Sequence, residues 1–230
     1  MKIVTQVKLM PDAVQASVLE RTLRTVNDAA NWVSQVAFEH GVPREYELRK
    51  HTYAELKARG LGAQAAQHVI KKVRDSYTTL KANIRAGNLG KGVSRRRRKA
   101  ESKPITFRPQ AAQPYDDRCL SWQYDQQTVS IWTVDGRIKN IPFACSADAL
   151  KMLQAHRQGE SDLIERDGVF YLVATCDLGP TGGTAGFGEI RCGRWASATS
   201  DRTTRDPAQP GVRLRQELST QPPARCCSAP

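Results

Sequence analysis

Side chains suited to phosphate binding are concentrated in the first hundred residues of this 230-residue chain. Residues 1–100 hold 20 Lys and Arg against 8 Asp and Glu, an excess equal to the +12 net charge of the whole chain. Because such an uneven charge attracts polyanions, the sequence predicts a nucleic-acid partner. The alternative is a solvated surface that only keeps the protein soluble. The predicted nucleic-acid contacts are Lys71, Lys72, Arg74, Lys81, Arg85, Lys91, Arg95, Arg96, Arg97, Arg98, Lys99 and Lys103.

Residues 87–104 are predicted to form a loop, because Gly87, Gly90, Gly92 and Pro104 punctuate it. Within this loop Arg95–Arg98 are four consecutive arginines, which repel one another. We expect them to stay disordered until phosphates neutralise them. A linker without a partner is the alternative.

The cysteines do not predict a metal centre. There are six, none in a C-x-x-C pair, and their irregular spacing does not suggest a disulfide framework. The sequence therefore predicts no cofactor for this chain and a reducing, cytoplasmic setting. No stretch approaches the ~20 apolar residues of a membrane helix, and the N-terminus does not have the pattern of a signal peptide.

The candidate contacts lie in a segment with helical periodicity. A half-buried strand over Ile3–Leu9 precedes Asp12 and Gln15, which resemble a capping box. Apolar residues then recur every three or four positions, which predicts one helix from residue 13 to about 40 and another from about 66 to 86. A shorter helix is predicted over Tyr46–Arg59.

From residue 120 onward the periodicity changes to two. Alternation around Trp122 and Trp132 predicts strands, and Asp135-Gly136 and Asp167-Gly168 predict tight hairpins. A short helix fits residues 147–156. These elements, joined by the first strand, predict a small barrel or bent sheet with the helices inserted between its strands. The two tryptophans are interpreted as core residues, with base stacking as the alternative.

The segment 179–230 differs from the rest of the chain. It has no lysine, and only five of its 52 residues are Leu, Ile, Val or Phe. A chain so poor in these residues can hardly bury a core, so we predict a disordered tail. Its composition also suggests the hypothesis that it is translated out of frame from a GC-rich gene.

Several short motifs follow one another along residues 1–178. They are Leu9-Met10-Pro11 with Gln15, Asn27-Asp28-Ala29-Ala30-Asn31-Trp32, Thr106-Phe107-Arg108-Pro109, Leu120-Ser121-Trp122-Gln123 and Gly159-Glu160-Ser161-Asp162-Leu163. The last is the strand ending Ala174-Thr175-Cys176. Taken in this order, the motifs resemble TnpB, the transposon-encoded protein of bacterial insertion sequences, and the resemblance covers residues 1–178.

The resemblance implies an α+β fold. Residues 1–10 and 104–178 would form an oligonucleotide-binding-like wedge β-barrel, and residues 11–103 an inserted helical recognition bundle. The family uses a transposon-derived guide RNA to cut DNA in the bacterial cytoplasm, at the nucleoid. Its RuvC-like nuclease and zinc-binding segments would be missing here, replaced by the tail, so Mg and Zn are expected only in full-length members. Asp177-Leu178-Gly179 imitates the first nuclease motif, but is interpreted as a strand end.

The expected function is therefore binding of DNA and guide RNA by the N-terminal part of a TnpB-like transposase, without cleavage and with no catalytic residue in this chain. Three alternatives stay open. A partner could supply the missing domain and restore cleavage. The protein could be an unrelated DNA-binding regulator with a helix-turn-helix, or an inert pseudogene product.

Overall fold

A computed structural model describes residues 1–41 and 44–179. The prediction of a disordered tail over 179–230 falls, from residue 180 onward, outside the described residues. The elements in chain order are β1 (Lys2–Leu9), α1 (Ala13–Glu39), α2 (Glu45–Ala58), α3 (Ala63–Arg85), α4 (Arg95–Glu101), β2 (Gln113–Tyr115), β3 (Leu120–Gln123), β4 (Thr128–Thr133), β5 (Gly136–Ala144), α5 (Ala147–His156), β6 (Arg157–Arg166) and β7 (Val169–Asp177).

The seven strands of the described residues form one antiparallel, nearly closed, barrel-like sheet. Their order is β2-β6-β7-β1-β5-β4-β3, so β1 lies between two strands from the far end of the described chain. It pairs with β7 from Lys2 to Lys8, and Leu9 pairs with Phe143 of β5. The prediction that the first strand joins the later ones is confirmed.

The hairpin predictions are confirmed, with one shift of register. Asp167 and Gly168 join β6 to β7 with positive φ angles of 51° and 77°, as a tight turn between twisted strands requires. The β4–β5 turn is formed by Val134 and Asp135, one position earlier than predicted, because Gly136 already pairs with Thr133. Strand β2 was not predicted, since three residues including Pro114 show no periodicity.

Helices α1 and α3 confirm the two predicted apolar stripes, and α2 confirms the shorter predicted helix. Helix α1 begins with the predicted capping box, in which Asp12 Oδ1 accepts the Gln15 N–H at 2.8 Å and Gln15 Oε1 accepts the Asp12 N–H at 3.1 Å. Helices α2 and α3 begin within three residues of the predicted positions. None of the helices in the described ranges is long and apolar enough to cross a membrane.

The prediction of a loop over residues 87–104 is wrong for its second half, where the arginine run forms α4. Ser94 caps this helix, because its Oγ accepts the Arg97 N–H at 3.2 Å. The Arg97 guanidinium also pairs with Glu101 one turn later, at 3.0 Å. Arginine is a good helix former, so these local interactions outweigh the repulsion on which the loop prediction depended.

The buried apolar residues form two clusters that share Trp132 as a neighbour. The first fills the inner face of the strands and includes Leu19 and Leu23 of α1; the second lies between α1, α2 and α3. Trp122 packs against the first cluster, and Trp132 packs against both. Both tryptophans are half-buried and pack against these clusters, which agrees with their interpretation as core residues, and Trp132 joins the helices to the strands. Base stacking stays the alternative.

Candidate nucleic-acid interface

A groove with an apolar floor and a cationic rim lies between the ends of α1, α3 and α4. Its volume is about 350 Å³. Phe38, Tyr77, Leu80, Ile84 and Ala100 supply its less polar lining. Lys81, Arg85, Glu101 and Lys103 supply its charged lining. Three cations against one acid, itself paired with Arg97, leave the rim positive. Such a rim suits a phosphate chain, and the apolar floor suits the faces of unpaired bases.

Most of the predicted phosphate contacts have no acidic partner. Eight of the predicted contacts are exposed and make no ion pair with an acid anywhere in residues 1–41 and 44–179. We call these eight the α3–α4 basic surface. They are Lys81, Arg85, Lys91, Arg95, Arg96, Arg98, Lys99 and Lys103.

Helix α4 spreads its cations around its axis, because successive residues are rotated by about 100°. Arg97 is half-buried and bound to Glu101. Arg95, Arg96, Arg98 and Lys99 are exposed. The structure presents these cations on a formed helix and not on a chain that has still to fold, and their contact with phosphate stays a prediction.

The three remaining predicted contacts lie earlier on α3 and are engaged by protein groups. Lys71 forms an ion pair with Glu160 of β6. Arg74 lies 3.0 Å from Glu45 of α2 and 3.0 Å from Asp75. Contact of these side chains with phosphate stays a prediction, and the structure separates them from the α3–α4 basic surface.

Lys72 is the most strongly perturbed of the three. Its ammonium donates to Asn27 Oδ1 at 2.6 Å and lies 5.2 Å from the centre of the Phe107 ring. Burial lowers the pKa of Lys72 to about 8, against the opposing attraction of Asp162. A second cavity of about 470 Å³ adjoins it, lined also by Asp75, Glu160 and Asp162. Three acids make this cavity a poor phosphate site.

Asp177 lies at the end of β7, as its interpretation from sequence required. Its Oδ1 accepts the Gly179 N–H at 3.0 Å and lies 3.7 Å from the Met1 ammonium. These contacts lower the pKa of Asp177, and the backbone hydrogen bond from Gly179 has the largest effect. The carboxylate thus serves the join between β1 and β7.

Sequence reasoning missed one cluster of potential metal ligands, formed by His68, Asp116 and Cys119. His68 lies on α3, whereas the other two lie in the connection between β2 and β3. No short motif joins them, since the fold brings together residues far apart in the chain. Only their convergence reveals the cluster.

The comparison with known families gives one match. A family of unknown function (DUF6207) matches residues 184–223. This match covers under a fifth of the chain and lies wholly outside the described residues, so it does not assign the chain to a family. It falls in the segment for which out-of-frame translation was hypothesised, and any account of that segment must include it. No curated protein matches the chain.

Proposed function

We propose that residues 1–178 are a nucleic-acid-binding module similar to the N-terminal part of TnpB proteins, with guide RNA and DNA as partners. Binding is through the α3–α4 basic surface. On this proposal the sheet corresponds to the wedge barrel and α1–α4 to the inserted recognition bundle, and the protein acts in the bacterial cytoplasm at the nucleoid, in transposition.

The observation that carries the proposal is the set of eight exposed cations without acidic partners in the described residues, three of which line an apolar groove. An ion pair within the protein would have to be broken before the cation could bind phosphate fully. The α3–α4 basic surface carries no such cost in the described residues. Binding there would release counterions from the nucleic acid, which is the main source of sequence-independent affinity.

Contacts between two of the TnpB-like motifs support the proposed similarity to TnpB proteins. Asn31 exchanges two hydrogen bonds with the Phe107 backbone, at 2.7 and 3.1 Å. Asn27 Nδ2 donates to the carbonyls of Pro109 and Ala111, each at 2.9 Å. These asparagines lie in one motif, and the segment 106–109 is another. The two motifs therefore hold α1 to the segment that precedes β2.

Cleavage is not part of the proposal. RuvC-type chemistry needs several carboxylates that converge on divalent metals. In residues 1–41 and 44–179, the cluster of three potential ligands contains a single carboxylate, that of Asp116. Asp177 is bound to backbone and to the N-terminus. Recognition without cleavage is the activity that we propose for the described residues.

Two charge-matched variants of the full chain test the proposal. The first replaces Arg95, Arg96, Arg98 and Lys99 by glutamine, which forms helix about as well as arginine and so retains α4. The control replaces four exposed lysines outside α3 and α4. These are Lys2, Lys8, Lys139 and Lys151.

Binding is measured by fluorescence anisotropy with a labelled single-stranded RNA and a DNA of the same sequence, at about 0.1 M salt. At 0.1 M salt, each phosphate contact on a single strand adds about 0.7 to the logarithm of the affinity, compared with the value at 1 M salt. A variant that loses the contact loses this gain. If one to four of the cations contact phosphate, the first variant binds about 5- to 600-fold more weakly. The control stays within about 3-fold of the unaltered protein, since nonspecific charge effects are small at this salt. Equal loss in both variants would place binding elsewhere.

A further inference from the structure

His68, Asp116 and Cys119 bring an imidazole, a carboxylate and a thiol together at the junction of α3 with the β2–β3 connection. Their potential ligand atoms all lie within 4.8 Å of one another. His68 is 4% exposed and Cys119 is 3% exposed. The Asp116 side chain is 25% exposed, which gives the cluster an opening to solvent.

The spacing of these atoms is close to that of a tetrahedral metal site. Zinc–ligand bonds of about 2.0–2.3 Å place neighbouring ligand atoms about 3.3–3.8 Å apart. His68 Nε2 and Asp116 Oδ2 are separated by 3.4 Å, within this range. The widest separation in the cluster must shorten by about 1 Å, a change that side-chain rotation supplies.

Backbone hydrogen bonds orient the carboxylate before any ion binds. Asp116 Oδ1 accepts the N–H groups of Arg118 and Cys119, at 3.1 and 3.2 Å. The other oxygen, Oδ2, is thereby turned towards His68. Such outer contacts are typical of carboxylates that ligate metals, because they fix the direction of the lone pairs.

The side-chain amide of Gln64 contacts two of the potential ligand atoms, where a bound cation would otherwise lie. Its Nε2 donates to Asp116 Oδ2 at 2.6 Å and lies 3.3 Å from His68 Nε2. The bare cluster is thus satisfied by an amide, and a cation would replace that amide. Gln64 is half-buried at the start of α3, so its side chain can turn towards solvent.

We propose that His68, Asp116 and Cys119 bind a divalent transition-metal ion, with Zn²⁺ as the best fit and water as the fourth ligand. Thiolate and imidazole favour zinc over the hard ions Mg²⁺ and Ca²⁺. The ion joins α3 to the β2–β3 connection, and hence the helices to the sheet. The inference does not depend on the proposed function.

Cobalt substitution tests the site in the full chain. After removal of metals with a chelator, Co²⁺ is added and its absorption spectrum recorded. The expected result is a thiolate-to-cobalt charge-transfer band together with the intense visible bands of a four-coordinate site. Cys119→Ser abolishes the charge-transfer band, whereas Cys145→Ser retains it. Cys145 is a half-buried cysteine outside the cluster, so it controls for the loss of a thiol.

A second pair of variants keeps the test decisive should Cys119→Ser fail to fold. Asp116→Asn retains the oxygen that accepts the backbone N–H groups but loses the ligating charge, so Co²⁺ affinity falls at least about 10-fold. Gln64→Ala removes the competing amide and leaves affinity equal or higher. Circular dichroism checks that both variants are folded. A charge-transfer band that is absent in the unaltered protein, or equally strong in a folded Cys119 or Asp116 variant, overturns the proposal.

Discussion

The buried amine of Lys72 makes the stability of this protein depend on pH in a direction that can be measured. The folded state lowers the pKa of Lys72 from 10.5 to about 8, chiefly through burial. Below pH 8 both states hold the proton, and the folded state bears the full cost of the buried charge. Above pH 8 the folded state releases the proton while the unfolded chain retains it. The free energy of unfolding due to Lys72 therefore rises with pH up to about 10.5.

The size of this rise follows from the two pKa values. Each unit of difference is worth about 1.4 kcal/mol, and most of the difference is realised between pH 7 and pH 10. The contribution of Lys72 thus rises by about 2.5 kcal/mol over that interval. Lys72→Met has no amine to titrate, so the stability of the unaltered protein relative to this variant rises by the same amount.

Urea unfolding at a series of pH values measures that relative stability. Other groups act in both proteins and cancel in the difference. One is Cys119, whose pKa burial raises to about 11, so that its thiol ionises at lower pH in the unfolded chain than in the folded protein. Lys81→Met controls for the removal of one positive charge from α3, because the Lys81 side chain is exposed. A difference between Lys72→Met and the unaltered protein that stays constant from pH 7 to pH 10 would refute the reasoning.

Two further predictions concern the contacts that position the interface. Asn27→Ala removes a fully buried side chain and its partly buried hydrogen bonds to the segment 109–111 and to Lys72, so the free energy of unfolding falls by about 2–4 kcal/mol in urea titrations. A loss below about 1 kcal/mol would show that water replaces these bonds. Ser94→Ala removes the cap that accepts the Arg97 N–H, so α4 alone is destabilised by about 1 kcal/mol and its amides exchange about five times faster. Unchanged exchange in α4 would mean that the cap adds nothing.

Periodic patterns in the sequence were sufficient for most of the elements. The stripe from Leu19 to Ala37 and the alternation in β1 each have one buried face, so the position of every apolar residue carries information. The capping box and the Asp167-Gly168 turn are local interactions of neighbouring residues, and both were recognised. Such features depend only on residues that lie close together in the sequence, so the sequence alone reveals them.

Three features were not predicted correctly from the sequence, each for a physical reason. Helix α4 has no buried residue and hence no apolar stripe, so the charges of Arg95–Arg98 dominated the prediction. Its cap at Ser94 was the local sign of a helix. Strand β2 depends on pairing with β6, and the cluster of His68, Asp116 and Cys119 depends on the packing of α3 against the sheet. Both require contacts between distant segments, which one sequence does not display.

The salt dependence of RNA binding tests the central claim most directly. The affinity of the unaltered full chain for a single-stranded RNA is measured over a range of salt concentrations. If about five of the eight cations of the α3–α4 basic surface contact phosphate, log affinity falls against log salt with a slope of about −3.5. A slope near zero, or no binding to RNA or DNA at low salt, would contradict the proposal that this surface binds nucleic acid.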